Sequence, residues 1–594
     1  MLSLDVAGNL SNSSPLAPLT TAKQYTLVLE GVKQAFCSSR WVRPTAPRPI
    51  PVTLQYSYFK RKCGLMKRPI MHRRFFACWL VVNAMAGLMV GSLAGGQAMG
   101  QADQPVDSKS TREIVVELPG DVTETALNGR LFVFMTQRGG IPMNGPNWFS
   151  PEPFYGLDVK GWKAGEMRSV KDDADHFPVP LSELPAGKYR IQALLDQDFY
   201  FPSPADGVDN RFSEPMEVEF QQGESTKLRL TLDQVVKAKA WPDSDRVKLV
   251  EYKSELLSKF HGRDVLDRVA VVLPSGYEEN SERRYPTLYE ISGFGGTLSN
   301  MARRYMRGGP VSKEDGEAEF IRVLMTGECK WGHHVYADSE TNGPRGQAMI
   351  EELIPRIDEM FRTVSDPRAR MVGGHSSGGW SSLWLQVRYP DTFGGVWSTS
   401  PDPVDFRDYQ QTNLYSNPPE SIYFFEDEEK KPLARRGETP IVWYPDFAKM
   451  DDCLKRGGQL RSFEAVFSPR GDDGEPLRMW DRVTGKVNST VVEAWKSYDI
   501  SLQLRKNWEE LSPKLQGKIH VTMGDLDTFY LEGATILLKQ VLEELGSDAK
   551  IVIISGASHG SYLGDPEFQQ RQRREMSAQY FRHFNDQGAL KKTR

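Results

Sequence analysis

Gly374-His375-Ser376-Ser377-Gly378 lies between a short apolar segment, Arg370–Gly373, and an apolar run, Trp380–Tyr389. The first reads as a strand and the second as a helix, with another helix expected upstream at Gly346–Phe361. Strand, tight turn and helix together constrain a chain strongly. They expose a serine hydroxyl at the carboxyl end of a sheet, and the flanking glycines permit a strained turn and close helix–strand approach. Over roughly 248–590 apolar strands alternate with helical segments, which predicts a mostly parallel sheet with helices on both faces, an α/β fold.

A serine hydroxyl is a weak nucleophile until a neighbouring base takes its proton. Three histidines follow Ser376. His583 falls in the polar C-terminal helix, and His520 opens an apolar strand with no acid placed before it. His559 lies in a small-residue loop, Ser555–Gly560, beyond the strand Ile551–Ile554, and is the expected base. The acid should end the preceding strand, Ile519–Met523, and Asp527 is expected there. Asp525 is the alternative, and either could instead cap the next helix. One helix, Leu531–Leu545, and one strand fit the 32 positions from Asp527 to His559. Donors for a developing oxyanion are expected at the backbone N–H of Ser377 and of Phe294, the latter after the strand Pro286–Ile291.

These residues carry a resemblance. The segment 248–590 resembles the esterase D-type family of the α/β-hydrolase superfamily, whose members include feruloyl and acetyl-xylan esterases, enterochelin esterases, S-formylglutathione hydrolases and mycolyltransferases. The matching landmarks are LPSGY at Leu273–Tyr277, RYPTLYEISGFGG at Arg284–Gly296, GGHSSGGW at Gly373–Trp380 and RYPDTFGG at Arg388–Gly395, followed by GDLD and SGASHG. The resemblance implies an α/β-hydrolase fold and assigns nucleophile, acid and base to Ser376, Asp527 and His559. The usual HG before the oxyanion loop is Ser292-Gly293 here. The Ser376–Asp527 spacing is also long, and the excess at about 405–500 is charged and aromatic, expected as a lid or partner surface over the strand ends.

Ahead of this domain, residues 103–236 read as β. Period-2 runs at Arg112–Leu118, Gly129–Met135, Tyr189–Leu195, Met216–Phe220 and Lys227–Leu232 predict a small all-β, immunoglobulin-like antiparallel sandwich. The stretches NWFSPEPFYG and DFYFPSPADG are read as loops, open to carbohydrate contact. A polar linker is expected at 237–247. Cys329–Gly346 should border the pocket, with Trp331, His334 and Asp338 either touching substrate or packing the loop.

Charge narrows the partners. Residues 1–74 hold 12 of the 74 Lys and Arg side chains and only two acids, so the remainder carries a formal charge of −14. That excludes phosphate-backbone binding, and no nucleic acid is expected. With no Cys/His cluster of zinc spacing, no metal or cofactor is expected. Cys329 and Cys453 are either a disulfide or two thiols. The expected partner is a small-molecule or polymer-linked ester.

From Met66, basic residues precede an apolar run from Phe75 to about Leu93 and then small residues. This is the layout of a secretory signal peptide over 66–102, cleaved after Ala98 or Ala102. Export to the periplasm or outside the cell is therefore expected, with membrane attachment only if the leader stays uncleaved. Residues 1–65 then read as a non-native or disordered extension. The expected activity is ester hydrolysis through an acyl-enzyme. Acyl transfer by the same triad, and an inactive envelope- or polysaccharide-binding protein, are the alternatives. N-terminal sequencing of the exported protein should begin at residue 99 or 103, and a mature chain containing residues 1–60 would defeat this reading.

Overall fold

The computed structural model describes residues 111–120, 125–197, 201–306, 316–455 and 457–591. The leader and the extension before it lie outside the described residues.

The second domain is built on one eight-stranded sheet. Its strands are β1 (Val247–Lys253), β2 (Leu266–Val272), β3 (Thr287–Ile291), β4 (Ile321–Met325), β5 (Arg370–His375), β6 (Gly395–Thr399), β7 (Ile519–Gly524) and β8 (Lys550–Ile554). In space they run 1-2-4-3-5-6-7-8. β2 is antiparallel to both β1 and β4, and every other pairing is parallel. This is the order of an α/β-hydrolase sheet, as the alternation of strand and helix predicts.

The sheet is buried on both faces, and successive residues show it. Leu288, Met371 and Trp397 pack on Met576 and Tyr580 of the C-terminal helix Pro566–Phe581. Their chain neighbours Tyr289, Val372 and Val396 enter the main core on the other side. A parallel strand covered on both faces needs apolar residues at nearly every position, which is why these strands read as short continuous apolar runs. The helix expected at Gly346–Phe361 is broken locally. It runs as Arg345–Ala348, a wide π turn at Met349–Leu353, then Ile354–Met360. Pro355 has no N–H to give the preceding turn, which accounts for the widening.

The first domain comprises two sheets. A three-stranded one pairs Arg112–Glu117 with Met167–Val170 and Thr226–Thr231. A seven-stranded one centres on Leu127–Thr136, Phe154–Trp162 and Gly187–Asp196. Two features correct the expectation. The pairing of Arg112–Glu117 with Thr226–Thr231 is parallel, not antiparallel. NWFSPEPFYG is also not wholly a loop, because Phe154 opens a nine-residue strand.

The larger sheet is buried on both sides. Leu131, Val133 and Met135 face the core of the first domain, while Phe132 and Phe134 join the core of the second. The continuous run Leu131–Met135 carried that signal in the sequence.

The segment after β6 forms neither a detached lid nor a free surface. Phe406, Tyr409, Phe463, Phe467, Tyr444, Trp480 and Trp495 are buried and continuous with the main core. Its most buried charges are paired inside it. Glu464 is fully buried between Arg461 and Arg482, which both bond it at 2.8 Å. Burying such charges is tolerable only when each is matched.

The first domain docks on this segment. Buried Arg130 bonds Asp158 at 2.6 Å and Asp175 at 2.8 Å, and donates to the Cys453 carbonyl at 2.7 Å. Cys329 and Cys453 are separate buried thiols, which resolves the cysteine alternatives against a bond.

Arg130→Met should lower stability by about 2 kcal/mol, less than for a fully buried pair because both aspartates are half exposed. A urea midpoint unchanged from wild type would remove Arg130 as the tie between the domains.

Candidate active site

Ser376 sits between β5 and the helix Ser377–Arg388 with φ 60° and ψ −123°. An L-residue pays for positive φ, so the surroundings must enforce it. The flanking glycines allow this. A Cβ on Gly374 would stand 2.3 Å from the Gly378 carbonyl oxygen, and one on Gly378 would stand 2.2 Å from that of Ile291. Helix and strands therefore approach at backbone distance, and the serine is lifted above β5.

His559 and Asp527 meet at the end of β7 and β8. His559 Nδ1 bonds Asp527 Oδ2 at 2.7 Å, and Asp527 is fully buried. The other carboxylate oxygen accepts the Phe529 N–H at 2.9 Å, which fixes its orientation. With Nδ1 engaged, the opposite ring nitrogen, Nε2, is left for proton transfer. Asp525 does different work, accepting the Gly556 N–H at 2.6 Å and shaping the loop that carries the histidine. His520 lies far down the sheet, stacked on Trp397 at 4.4 Å.

The loop Ser292–Gly296 lies against the nucleophile, since the Cβ position of Gly293 is 3.2 Å from Ser376 Cβ. His333 braces that loop. Its Nδ1 accepts the Val335 N–H, so Nε2 carries the proton and donates to the Ser292 carbonyl at 3.1 Å. Burial pushes its pKa down to about 4, keeping the ring neutral for this role. The other candidates of this region pack the structure. His334 is buried and accepts the Tyr336 N–H. Asp338 accepts from Tyr389 Oη at 2.8 Å, and Trp331 packs with Cys329 and Ala465.

Three features were not anticipated from the sequence. His375, inside the serine motif, packs with its ring tilted at 4.5 Å against His559, and burial lowers its pKa to about 3, so it stays neutral there.

Asp402 is the second. It is 3% exposed and accepts from Ser377 Oγ at 2.5 Å and from Ser376 Oγ at 3.5 Å. Ser-Pro-Asp-Pro just past β6 was its one visible signal. The third is a contact from the first domain onto the Ser292–Gly296 loop. Trp148 packs at 5.1 Å on Phe294 and at 5.2 Å on Phe447. Among the described residues no cluster of His, Cys, Asp or Glu is arranged to hold a metal ion, and no helix is long and apolar enough to cross a membrane.

Asp402 makes a pH prediction. Burial pushes its pKa up to about 6. Between the ordinary carboxyl range and pH 6 the folded state therefore holds a proton that the unfolded state has lost, and stability falls as pH rises through that window. Asp402→Asn should raise the melting temperature relative to wild type more at pH 8 than at pH 4. Equal shifts at both values would show that the carboxylate carries no such cost.

Residues 266–557 match the family described as Putative esterase. An endo-1,4-β-xylanase/feruloyl esterase of Xylanibacter ruminicola is 31% identical over 133 residues, covering 21% of this chain and 18% of its own length. The chain thus spans under a fifth of that relative. Among solved structures, a ferulic acid esterase is 15% identical with a TM-score of 0.35, covering 56% of this chain and 99% of its own. An S-formylglutathione hydrolase from Agrobacterium tumefaciens is 14% identical with a TM-score of 0.32, covering 56% and 95%. By the match over 266–557, that segment of the chain is similar to the Putative esterase family.

Proposed function

We propose that the chain is an exported serine esterase working through an acyl-enzyme, with Ser376, His559 and Asp527 as its triad. The observation that carries the reading is the 2.7 Å bond from His559 to fully buried Asp527, and Ser376 is held at positive φ between its strand and helix. Ser376 Oγ attacks the ester carbonyl while His559 Nε2 takes its proton, and Asp527 holds the imidazole in the required tautomer. The Phe294 and Ser377 N–H groups receive the oxyanion. The alcohol leaves with the proton from His559, and water, activated by the same histidine, releases the acid.

The ester is proposed to carry a phenolic acyl group and to be linked to a polymer. Two lines support this. The Xylanibacter ruminicola relative is a feruloyl esterase by name. Aromatic rings also cluster at the Ser292–Gly296 loop, where Trp148 packs on Phe294 and Phe447. The first domain is proposed as an immunoglobulin-like sandwich, and residues 66–102 as the export signal.

Turnover of p-nitrophenyl acetate and butyrate tests the mechanism. Ser376→Ala and His559→Ala should each lower kcat by about 10⁴ or more, and Asp527→Asn by about 10⁴, in folded protein. A fluorophosphonate should label Ser376. A folded wild type that neither turns over these esters nor takes the label sinks the proposal.

A further inference from the structure

The first domain reaches the catalytic loops through one short turn. Trp148 is its anchor, half-buried between Phe294 of the oxyanion loop and Phe447 of the segment after β6. The next residue behaves differently. Phe149 is 43% exposed, and its ring centroid lies 6.0 Å from that of Phe529. Phe529 in turn presents its ring at 5.0 Å and nearly perpendicular to His559. A single exposed phenylalanine is ordinary. An exposed ring that adjoins the neighbour of the base is not, because substrate must pass it.

The turn is also held in place. The Phe149 N–H donates to Asn147 Oδ1 at 2.9 Å, the Ser150 N–H to the Asn147 carbonyl at 3.3 Å, and Arg138 to the Ser150 carbonyl at 2.9 Å. The backbone that carries Phe149 is therefore fixed before any ligand arrives, which lowers the ordering entropy lost when something packs on the ring.

We propose that the Asn147–Phe149 turn is a wall of the ester site, and that Phe149 and Phe529 together receive a flat apolar face on the alcohol part of the substrate. The proposal rests on the serine-esterase reading, since His559 gives it direction. In acylation the Ser376 Oγ–carbon bond forms and the bond from that carbon to the alcohol oxygen breaks. The proton taken from Ser376 passes through His559 to that leaving oxygen, so the alcohol oxygen departs from beside the histidine. Its substituent then lies on the His559 side, against Phe529 and Phe149, whereas the acyl part lies away from it. A ring with a flat apolar face, aromatic or otherwise, offers these two side chains contact that a methyl group cannot. Phe149 is on this view a specificity-determining residue contributed by the first domain, and Trp148 a positioning residue.

The test keeps the acyl group constant and changes the alcohol. kcat/KM is measured for methyl butyrate and benzyl butyrate with the full chain, as wild type, Phe149→Ala, Phe149→Leu and Phe149→Tyr. Phe149→Ala should lower kcat/KM for the benzyl ester about tenfold and for the methyl ester less than about twofold. Phe149→Leu, which preserves bulk without the ring, should lose part of the same preference, and Phe149→Tyr should keep it. An unchanged benzyl-to-methyl ratio in the alanine and leucine variants overturns the proposal, as does an equal loss on both esters, which is what a merely structural role would give. A wild type that turns over neither ester and is not labelled at Ser376 removes the catalytic reading and the wall with it. Turnover of both esters with an unaltered ratio removes the wall alone.

Discussion

The positive-φ turn at Ser376 is the constraint on which the rest of the site depends. Holding a serine there requires a strand and a helix that meet at backbone distance, and only glycine at 374 and 378 allows it. The same closeness brings the end of β3 and its loop against the nucleophile, since the Ile291 and Ser292 carbonyls are what a Cβ on Gly378 would strike. Ser376 and the Ser292–Gly296 loop are thus placed by one packing condition. Backbone strain at a single residue is sustained by the buried sheet around it, a common arrangement where reactivity needs a fixed geometry.

Burial then sets the state of two imidazoles in this region, His333 and His375. His333 and His375 are kept neutral because a charged ring cannot be solvated where they lie. One uses its neutrality to donate to the oxyanion loop. The other lies against the base without competing for the acid. His559 is the ring whose Nδ1 meets a carboxylate, and that contact leaves its opposite nitrogen for proton transfer. Asp402, buried under the serine and bonded to both Ser376 and Ser377, is the one carboxyl here that burial drives upward to about 6. Keeping it beside the nucleophile costs the fold stability at neutral pH.

The two domains and the long segment after β6 meet in the main hydrophobic core, so none is an appendage. Strand Leu127–Thr136 shows how: alternate side chains serve the first domain's own core and the core beneath the hydrolase sheet. Arg435 ties the long segment to the acid's loop as well, donating to the Asp527 carbonyl at 2.9 Å and pairing with Glu532 at 2.6 Å. A wall assembled from three parts of the chain is rigid because each part is buried by the others.

The sequence by itself determined the hydrolase sheet and the three residues Ser376, Asp527 and His559 as candidates. Those depend on local signals: a glycine-flanked serine between strand and helix, and acid and histidine each just past an apolar strand. It preferred Asp527 to Asp525; in the structure Asp527 bonds His559, and Asp525 accepts the Gly556 N–H. Only the tertiary structure decided what lies beside them. Trp148 and Phe149 are more than two hundred residues from Ser376, in a stretch read as loop, and nothing in their local pattern says which surface they will meet. Asp402 was invisible for a related reason, because an aspartate after a strand looks like a turn until the serine above it is in place. Buried Arg130 and Glu464 read as ordinary surface charges, since a charge shows its burial only through its partners. Local periodicity fixes elements and the chemistry at their ends, whereas contacts between distant segments follow from packing that no short window of sequence contains.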